Sequence, residues 1–412
     1  MRYIIDKLKD NIRKYGFLKF LKRVYRKVLN ILLGGINNIL FSKRYKIQLN
    51  KILHENITKK IIVFYPFFDF NMPNFQRFQQ LAMALGTRND ILFFYCTPNN
   101  IYDSIFGFKN ISNNLYVTNQ YNLLIKSDIK NRVLYFVSTD VKSSVDDFTK
   151  AIDRGDKVLY DYVDDMHEDI IGNVSNSQIM KHNFAIENED IIILVTADRL
   201  LQNVKKIRKK NVFLITNGVK LEDFFIQKND NYNDEKLCKL IEFKDKYKVT
   251  ICYYGAFAKW FDYELLKYIT KEKSIGVVLI GIDYDMSLKK SNLLECENVL
   301  FLGAIEYKYL KYYANECDIM TIPFIVNEIT NATSPVKLFE YMALKKPIIT
   351  TDMKECSKYN SVEIAHSYDE FLKLIYELKY KVACNKFDYQ LVLKDAMDNS
   401  WSSKANQIDN II

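Results

Sequence analysis

From residue 61 onward the chain alternates short runs of consecutive apolar residues with longer amphipathic stretches. Ile61–Tyr65, Ile91–Tyr95, Val133–Val137, Val158–Val163, Ile191–Val195 and Val212–Ile215 form a first set. Val249–Tyr254, Val277–Ile280, Val299–Leu302, Ile319–Ile322, Pro347–Thr350 and Val362–Ile364 form a second. Runs this short and this continuously apolar, separated by helix-length segments, predict parallel strands buried on both faces. Repeated β–α units predict doubly wound sheets, and two sets predict an α/β protein of two Rossmann-like domains facing across a cleft. The expected boundaries are 60–216 and 248–385. Residues 217–247 are polar and charged, with Asn-Asp-Asn-Tyr-Asn-Asp at 229–234, and read as the connection. Ligands of such sheets sit beyond the carboxyl ends of the strands, so those loops are where chemistry is sought.

Before residue 60 the pattern changes. Ile5, Leu8, Ile12, Leu18, Leu21, Tyr25, Val28 and Leu32 recur at three- and four-residue steps, with Lys7, Lys14, Lys19, Lys22, Arg23, Arg26 and Lys27 among them. This spacing predicts a helix over 3–33. The most apolar run, Val28–Phe41, is broken by Gly34-Gly35 and holds Asn30, Asn37 and Asn38, so it is too short and too polar to span a bilayer. No apolar run followed by a small-residue cleavage site marks a signal peptide. Residues 1–60 carry 16 Lys+Arg against 3 Asp+Glu, whereas the whole chain nets only +9. Residues 1–58 therefore read as a basic amphipathic arm that meets a membrane surface through 1–46, with its apolar side among acyl chains and its cations on anionic lipid. The other reading is a solvated helix packed on its own protein.

Length and composition narrow the rest. A chain of 412 residues suits two domains, and 49% apolar with 26% charged residues excludes a largely disordered protein. The seven cysteines are odd in number and scattered, and there are only four histidines. That argues against a disulfide scaffold or a structural zinc site and for a reducing, cytoplasmic setting. Beyond residue 60 the chain is net acidic, so no nucleic-acid partner is expected.

Three segments carry candidate chemistry. After the strand at 319–322, a polar loop ends at Thr333-Ser334-Pro335, and Val336–Leu344 has helix periodicity. Ser334 is a suitable N-cap and Pro335 suits the first turn. The amides exposed there favour a phosphate. Lys337 adds a full positive charge, and Glu340, three residues on, can accept hydrogen bonds from vicinal hydroxyls such as a ribose's. In the first set, Asp161 to Glu168 crowds four carboxylates at a strand's end. Crowding favours a raised pKa in at least one of them, which suits a general base acting on an acceptor hydroxyl. Asp164 and Asp165 are the candidates, with a helix cap as the alternative. His167 is either a further base or an ordinary loop residue, and Asp161, within the strand, reads as structural. Arg77 and Gln80 begin a helix after the first strand. Arg77 either holds an anionic acceptor or diphosphate, or is a salt-bridged scaffold residue. Asp283-Tyr284-Asp285 has a metal-binding form, but such acidic loops are common, and no metal is expected there.

Ser334-Pro335-Val336-Lys337-Leu338-Phe339-Glu340-Tyr341-Met342-Ala343 resembles the nucleotide-sugar motif of bacterial glycosyltransferases of the GT-B fold, in the family 4-like group. Tyr253-Tyr254-Gly255-Ala256 with Trp260–Leu265 resembles the first strand, loop and helix of their donor domain. Asn298–Gly303 resembles the strand and loop beside the base, and Asn217-Gly218-Val219 the entry to the interdomain hinge. Asp398-Asn-Ser-Trp-Ser402 resembles the segment before a final helix, 386–412, that returns to the first domain. The resemblance covers roughly 60–405, with the motifs in order. It implies transfer of a sugar from a nucleotide diphosphate, UDP- or GDP-linked, to a glycan or lipid-linked hydroxyl, in cell-surface polysaccharide synthesis. No cofactor or metal is implied. Glu340 would bind the donor ribose and Lys337 would face the diphosphate. Gly255, Gly303, Ser334 and Pro335 would line the donor site, Asn217 would contact acceptor or phosphate, and Asp164 or Asp165 would stand at the catalytic position. The sequence departs from that family at Ala332, where the first of two paired glutamates often stands, and near Ala256 and Phe261, where a basic pair is usual. Two alternatives share the architecture: a sugar-nucleotide epimerase without NAD, and a non-catalytic carbohydrate or lipid-surface adaptor.

Overall fold

The computed structural model describes residues 17–412 except 74, 167–173, 228, 229 and 231. Eight strands form the first sheet: β1 (Lys60–Phe64), β2 (Ile91–Cys96), β3 (Phe108–Ser112), β4 (Leu115–Thr118), β5 (Arg132–Val137), β6 (Lys157–Tyr162), β7 (Ile192–Val195) and β8 (Val212–Leu214). Their order is β3-β4-β2-β1-β5-β6-β7-β8. β1 pairs in parallel with β2 and β5, β2 with β4, and β5 with β6, while β3 runs antiparallel to β4 at the edge. The six runs read from the sequence are all strands. The β3–β4 pair is additional, and its short, partly polar strands carry little apolar signal.

The second sheet holds β9 (Val249–Phe257), β10 (Ile275–Asp283), β11 (Val299–Gly303), β12 (Ile319–Ile322), β13 (Ile348–Thr351) and β14 (Val362–Ala365), in the order β11-β10-β9-β12-β13-β14. Every neighbouring pair is parallel. This is a doubly wound order with its switch point between β9 and β12. Both faces are buried. Cys252, Tyr254, Val278, Ile280, Met320 and Ile348 pack on one side with Leu338, Met342 and Val392. Ile251, Tyr253, Val277, Leu279, Ile319 and Ile349 pack on the other with Leu265, Phe371 and Ile375. Alternate side chains thus both find a core, which is why these strands read as unbroken apolar runs.

The chain divides into two compact units, one of Met1–Asp161 with Val174–Leu194 and Ile412, the other of Tyr162–Asn173 with Val195–Ile411. The helix Tyr389–Asp398 sets Val392 and Ala396 into the core beside Leu338 and Phe339. Val219 pairs with Ser400.

The arm corrects the sequence reading. A single helix runs from Phe17 to Glu55, through Gly34-Gly35, and the part expected before residue 17 lies outside the described residues. Each glycine costs a helix ~1 kcal/mol relative to alanine, but packing further along outweighs it. Tyr45, Leu49 and Ile52 are buried against the first unit, whose Phe108 carbonyl accepts Gln48 Nε2 (2.9 Å). No described helix is long and apolar enough to cross a membrane.

Candidate functional site

The helix Val336–Ala343 starts beyond the carboxyl end of β12. Leu338, Phe339, Tyr341, Met342 and Ala343 are buried, and this fixes how the helix is turned. Its first turn departs by one residue from the expected cap. Pro335, with extended backbone, takes the N-cap position, and no side chain caps the helix. Ser334 is engaged elsewhere: its carbonyl accepts Asn217 Nδ2 (2.8 Å) and its Oγ accepts the Asn217 backbone N–H (3.3 Å). Asn217 therefore ties the hinge entry to the loop before the helix.

Lys337 and Glu340 meet as the three-residue spacing required. Lys337 Nζ lies 3.1 Å from Glu340 Oε2 and 5.2 Å from the centre of the Tyr254 ring. The pair is lopsided: the Glu340 side chain is 4% exposed and that of Lys337 30%. The Tyr254 phenol is pushed well above its ordinary pKa, by burial first and then by the Glu340 charge. Burial and Glu340 raise Tyr307 in the same order. Both phenols therefore stay neutral near a buried carboxylate. An ammonium that can swing outward beside a carboxylate that cannot is an arrangement able to exchange its internal partner for a polyol and an anion.

Gly255 and Gly281 face each other across β9 and β10 at the same edge. Their φ values are +156° and +144°, and a Cβ on Gly281 would stand 1.7 Å from the Gly255 carbonyl oxygen. Only glycine allows this approach. Gly303 closes β11 next to the same edge. Asp283 and Asp285 accept backbone N–H groups of Leu288, Lys289, Ser287 and Lys259, so the acidic loop caps a turn.

Within the second unit, Asp164 lines a cavity of about 140 Å³ with Trp260, Phe324, Ile329, Thr330 and Thr333. The lining is largely apolar and aromatic, with the carboxylate and two threonines at its polar points. Asp165 accepts the Tyr162 hydroxyl at 3.3 Å. His167 lies outside the described residues. Asp161 is fully buried and accepts Arg77 Nε (2.8 Å) and the Tyr135 hydroxyl (2.5 Å), the structural role expected of it. Arg77 is correspondingly the salt-bridged scaffold residue of its two readings. Its side chain is buried in the first unit, where an anion cannot reach it without breaking the pair.

Sequence reasoning missed Tyr254 and Tyr307 around Glu340, and Trp260, Phe324, Thr330 and Thr333 around the cavity. One hint was available: Trp260 is one of only two tryptophans.

Residues 248–374 match the family model "Glycosyl transferases group 1". The protein named as teichuronic acid biosynthesis glycosyltransferase TuaH of Bacillus subtilis strain 168 is 26% identical over 234 residues, covering 52% of this chain and 56% of its own length. The match thus spans little more than half of that relative. Among solved structures, sucrose-phosphate synthase from Thermosynechococcus elongatus aligns with a TM-score of 0.59 at 13% identity, covering 86% of this chain and 98% of its own. Anabaena HepE, solved with UDP and glucose, aligns at 0.56 and 13%, covering 85% and 98%. WaaG, a glycosyltransferase of lipopolysaccharide biosynthesis, aligns at 0.53 and 10%, covering 85% and 99%. The fold of this chain is the GT-B fold of glycosyltransferases, as the motif resemblance implied.

Proposed function

We propose that this GT-B chain is a glycosyltransferase of polysaccharide biosynthesis that moves a sugar from a nucleotide diphosphate to a hydroxyl of a glycan or lipid-linked acceptor. The observation that carries this reading is the Lys337–Glu340 pair in the opening turns of Val336–Ala343. In the donor complex Glu340 accepts the ribose hydroxyls. Lys337 leaves it for the diphosphate, assisted by the first amides of the helix. As the sugar–phosphate bond breaks, the diphosphate gains charge, and those same groups stabilise it more than they stabilise the intact donor. This places no demand on a metal ion. UDP is the first nucleotide to test, because HepE was solved with UDP and glucose, and GDP is the second.

The cavity beside Asp164 has room for part of a sugar ring. Its aromatic walls suit the apolar face of a pyranose. We assign Asp164 the general base and Asp165, held by Tyr162, the orienting role. Asp164→Asn should lower turnover and leave donor binding intact. Wild-type turnover in both Asn variants would remove the pair from the chemistry. An α-anomeric product from an α-linked donor would remove the need for a base.

The arm supports a place on the cytoplasmic face of the membrane, where lipid-linked acceptors are found. The deciding assay is nucleotide release from UDP- and GDP-sugars with and without membrane extract. Release that depends on the extract supports transfer. Consumption of the donor to an epimer without release supports the epimerase, and no turnover supports the adaptor.

A further inference from the structure

The helix Phe17–Glu55 has two unlike faces. One lies on the first unit, where Asn30, Tyr45, Leu49 and Ile52 are buried and Gln120 Nε2 donates to Asn38 Oδ1 (2.6 Å). The Tyr45 ring occupies the space over Gly107, whose φ is +83° and where a Cβ would stand 2.6 Å from the ring. On the other face Leu18, Leu21, Tyr25, Val28, Leu32, Ile36 and Ile39 follow one another at three- and four-residue steps, so they share one stripe. All are exposed, Leu18 at 81% and Ile39 at 80%. Asn30 stands two residues from both Val28 and Leu32, about 200° round the helix, and so points away from the stripe.

Asn30 is also a latch. Its Nδ2 donates to the Asp103 carbonyl (2.7 Å) and its Oδ1 accepts the Ser104 hydroxyl (2.8 Å). The Asp103 carboxylate accepts the N–H of Phe70 (2.5 Å) and of Asn71 (3.0 Å) and the Thr97 hydroxyl (2.5 Å). Asp69 accepts the N–H groups of Asn100, Ile101 and Tyr102 at 2.7–2.9 Å. The loops that follow β1 and β2 are thus bound to each other and to the helix, at the carboxyl edge of the first sheet.

The occupant of the stripe follows from charge. Residues 17–55 hold nine Lys+Arg and one acidic residue, Glu55. A second copy would bring two cationic helices together with no acidic row to pair them. An anionic lipid surface complements the apolar stripe together with Lys22, Lys43 and Lys46, which the helical repeat places on or beside it, whereas Arg23 turns to the first unit and donates to the Tyr102 hydroxyl (3.2 Å). We propose that the stripe Leu18–Ile39 seats the first unit on an anionic bilayer as a fixed plate, latched through Asn30, so that the loops after β1 and β2 are held at a set attitude to the lipid. This rests on the reading of the arm as membrane-facing and deepens it: the arm is a plate and not a tether.

The test uses the full chain and vesicles of phosphatidylcholine, alone or with roughly a third phosphatidylglycerol. The wild type should co-sediment with the anionic vesicles only. The exposed triple variant Leu18→Ser, Leu32→Ser, Ile39→Ser should lose about tenfold or more of that binding. Equal binding to both vesicles, or to neither, overturns lipid docking. So does a wild-type dimer in equilibrium sedimentation that the triple variant abolishes, which assigns the stripe to a second copy. The plate is read separately, from spin labels at Ser42→Cys and Lys109→Cys with the exposed thiols removed by Cys238→Ser and Cys384→Ser. Their separation should not change on anionic vesicles. Asn30→Leu should broaden it while binding persists. A separation that lengthens in the latched protein overturns the plate and leaves the membrane reading standing. Neither readout uses nucleotide, so failure of the transferase reading is seen elsewhere.

Discussion

The two sheets treat the charges at their carboxyl edges in opposite ways. At the carboxyl edge of the first sheet, Asp69, Asp103 and Asp140 in the loops and Asp161 near the end of β6 are all buried, and each is taken up by scaffold donors. Arg77 and Tyr135 hold Asp161. The N–H groups of Lys142 and Ser143 hold Asp140, with the buried Lys181 ammonium 3.9 Å away. Beyond the second sheet, Lys337 keeps one side to solvent while Glu340 does not. The contrast teaches that a carboxylate at a strand's end is not by that position a reagent. Those of the first sheet shape loops, and Glu340 is the one whose partner can leave.

Removing a partner from each kind of pair breaks the comparison most directly. Asp161→Ala leaves a buried guanidinium without its carboxylate and should cost ~3–5 kcal/mol of stability by urea unfolding. Lys337→Ala removes a partner that is itself 30% exposed, so water can take its place beside the buried Glu340 carboxylate, and should cost less, ~1–2 kcal/mol. Similar losses in the two variants would erase the distinction.

The next effect is a pH dependence confined to the first unit. His182 is buried against the Tyr160 hydroxyl (3.0 Å), and its pKa is pushed down to about 4, by burial first and then by Lys181. An unfolded histidine titrates near 6.5, so between those values the unfolded chain binds the extra proton. This contribution is complete above pH 6.5 and is lost as pH falls toward 4, up to roughly 3 kcal/mol. Substituting His182→Gln should flatten stability over that window; a profile as steep as wild type would place the acid sensitivity elsewhere.

Glu340→Ala should weaken nucleotide binding by ~1.5–3 kcal/mol in calorimetry, roughly ten- to 150-fold, with the fold intact. Undiminished affinity would take Glu340 out of the site. The smallest effect sharpens the comparison at the arm. Gly107→Ala places a methyl against the Tyr45 ring at positive φ and should cost about 1–3 kcal/mol. Thermal unfolding that matches wild type would show that the helix seat gives way freely.

What could be read from the chain depended on how local the cause was. The strands were legible because both faces of each sheet are buried, so neighbouring residues carry the same signal. β3 and β4 were hidden because Lys109 and Asn110 face solvent at the edge. Lys337 and Glu340 were legible because one helical turn joins them. Tyr254 was not, since it reaches Lys337 across 83 positions of sequence. Arg77 stayed ambiguous for the same reason, its carboxylate lying 84 positions away. Gly34-Gly35 read as a stop because their cost is local, while the packing that overrides it comes from Tyr45, Leu49 and Ile52.

Ala332 carries a consequence for which residues this position can accept. It stands where the resembling family often has a glutamate, and here its side chain is completely enclosed. A glutamate arriving by a single change would be forced into a space cut for one methyl, with its charge stripped of water. A carboxylate at this position is therefore reachable only together with changes at several neighbours that open the space around it, so one enclosed methyl ties the choice of residue here to the packing of its whole surroundings.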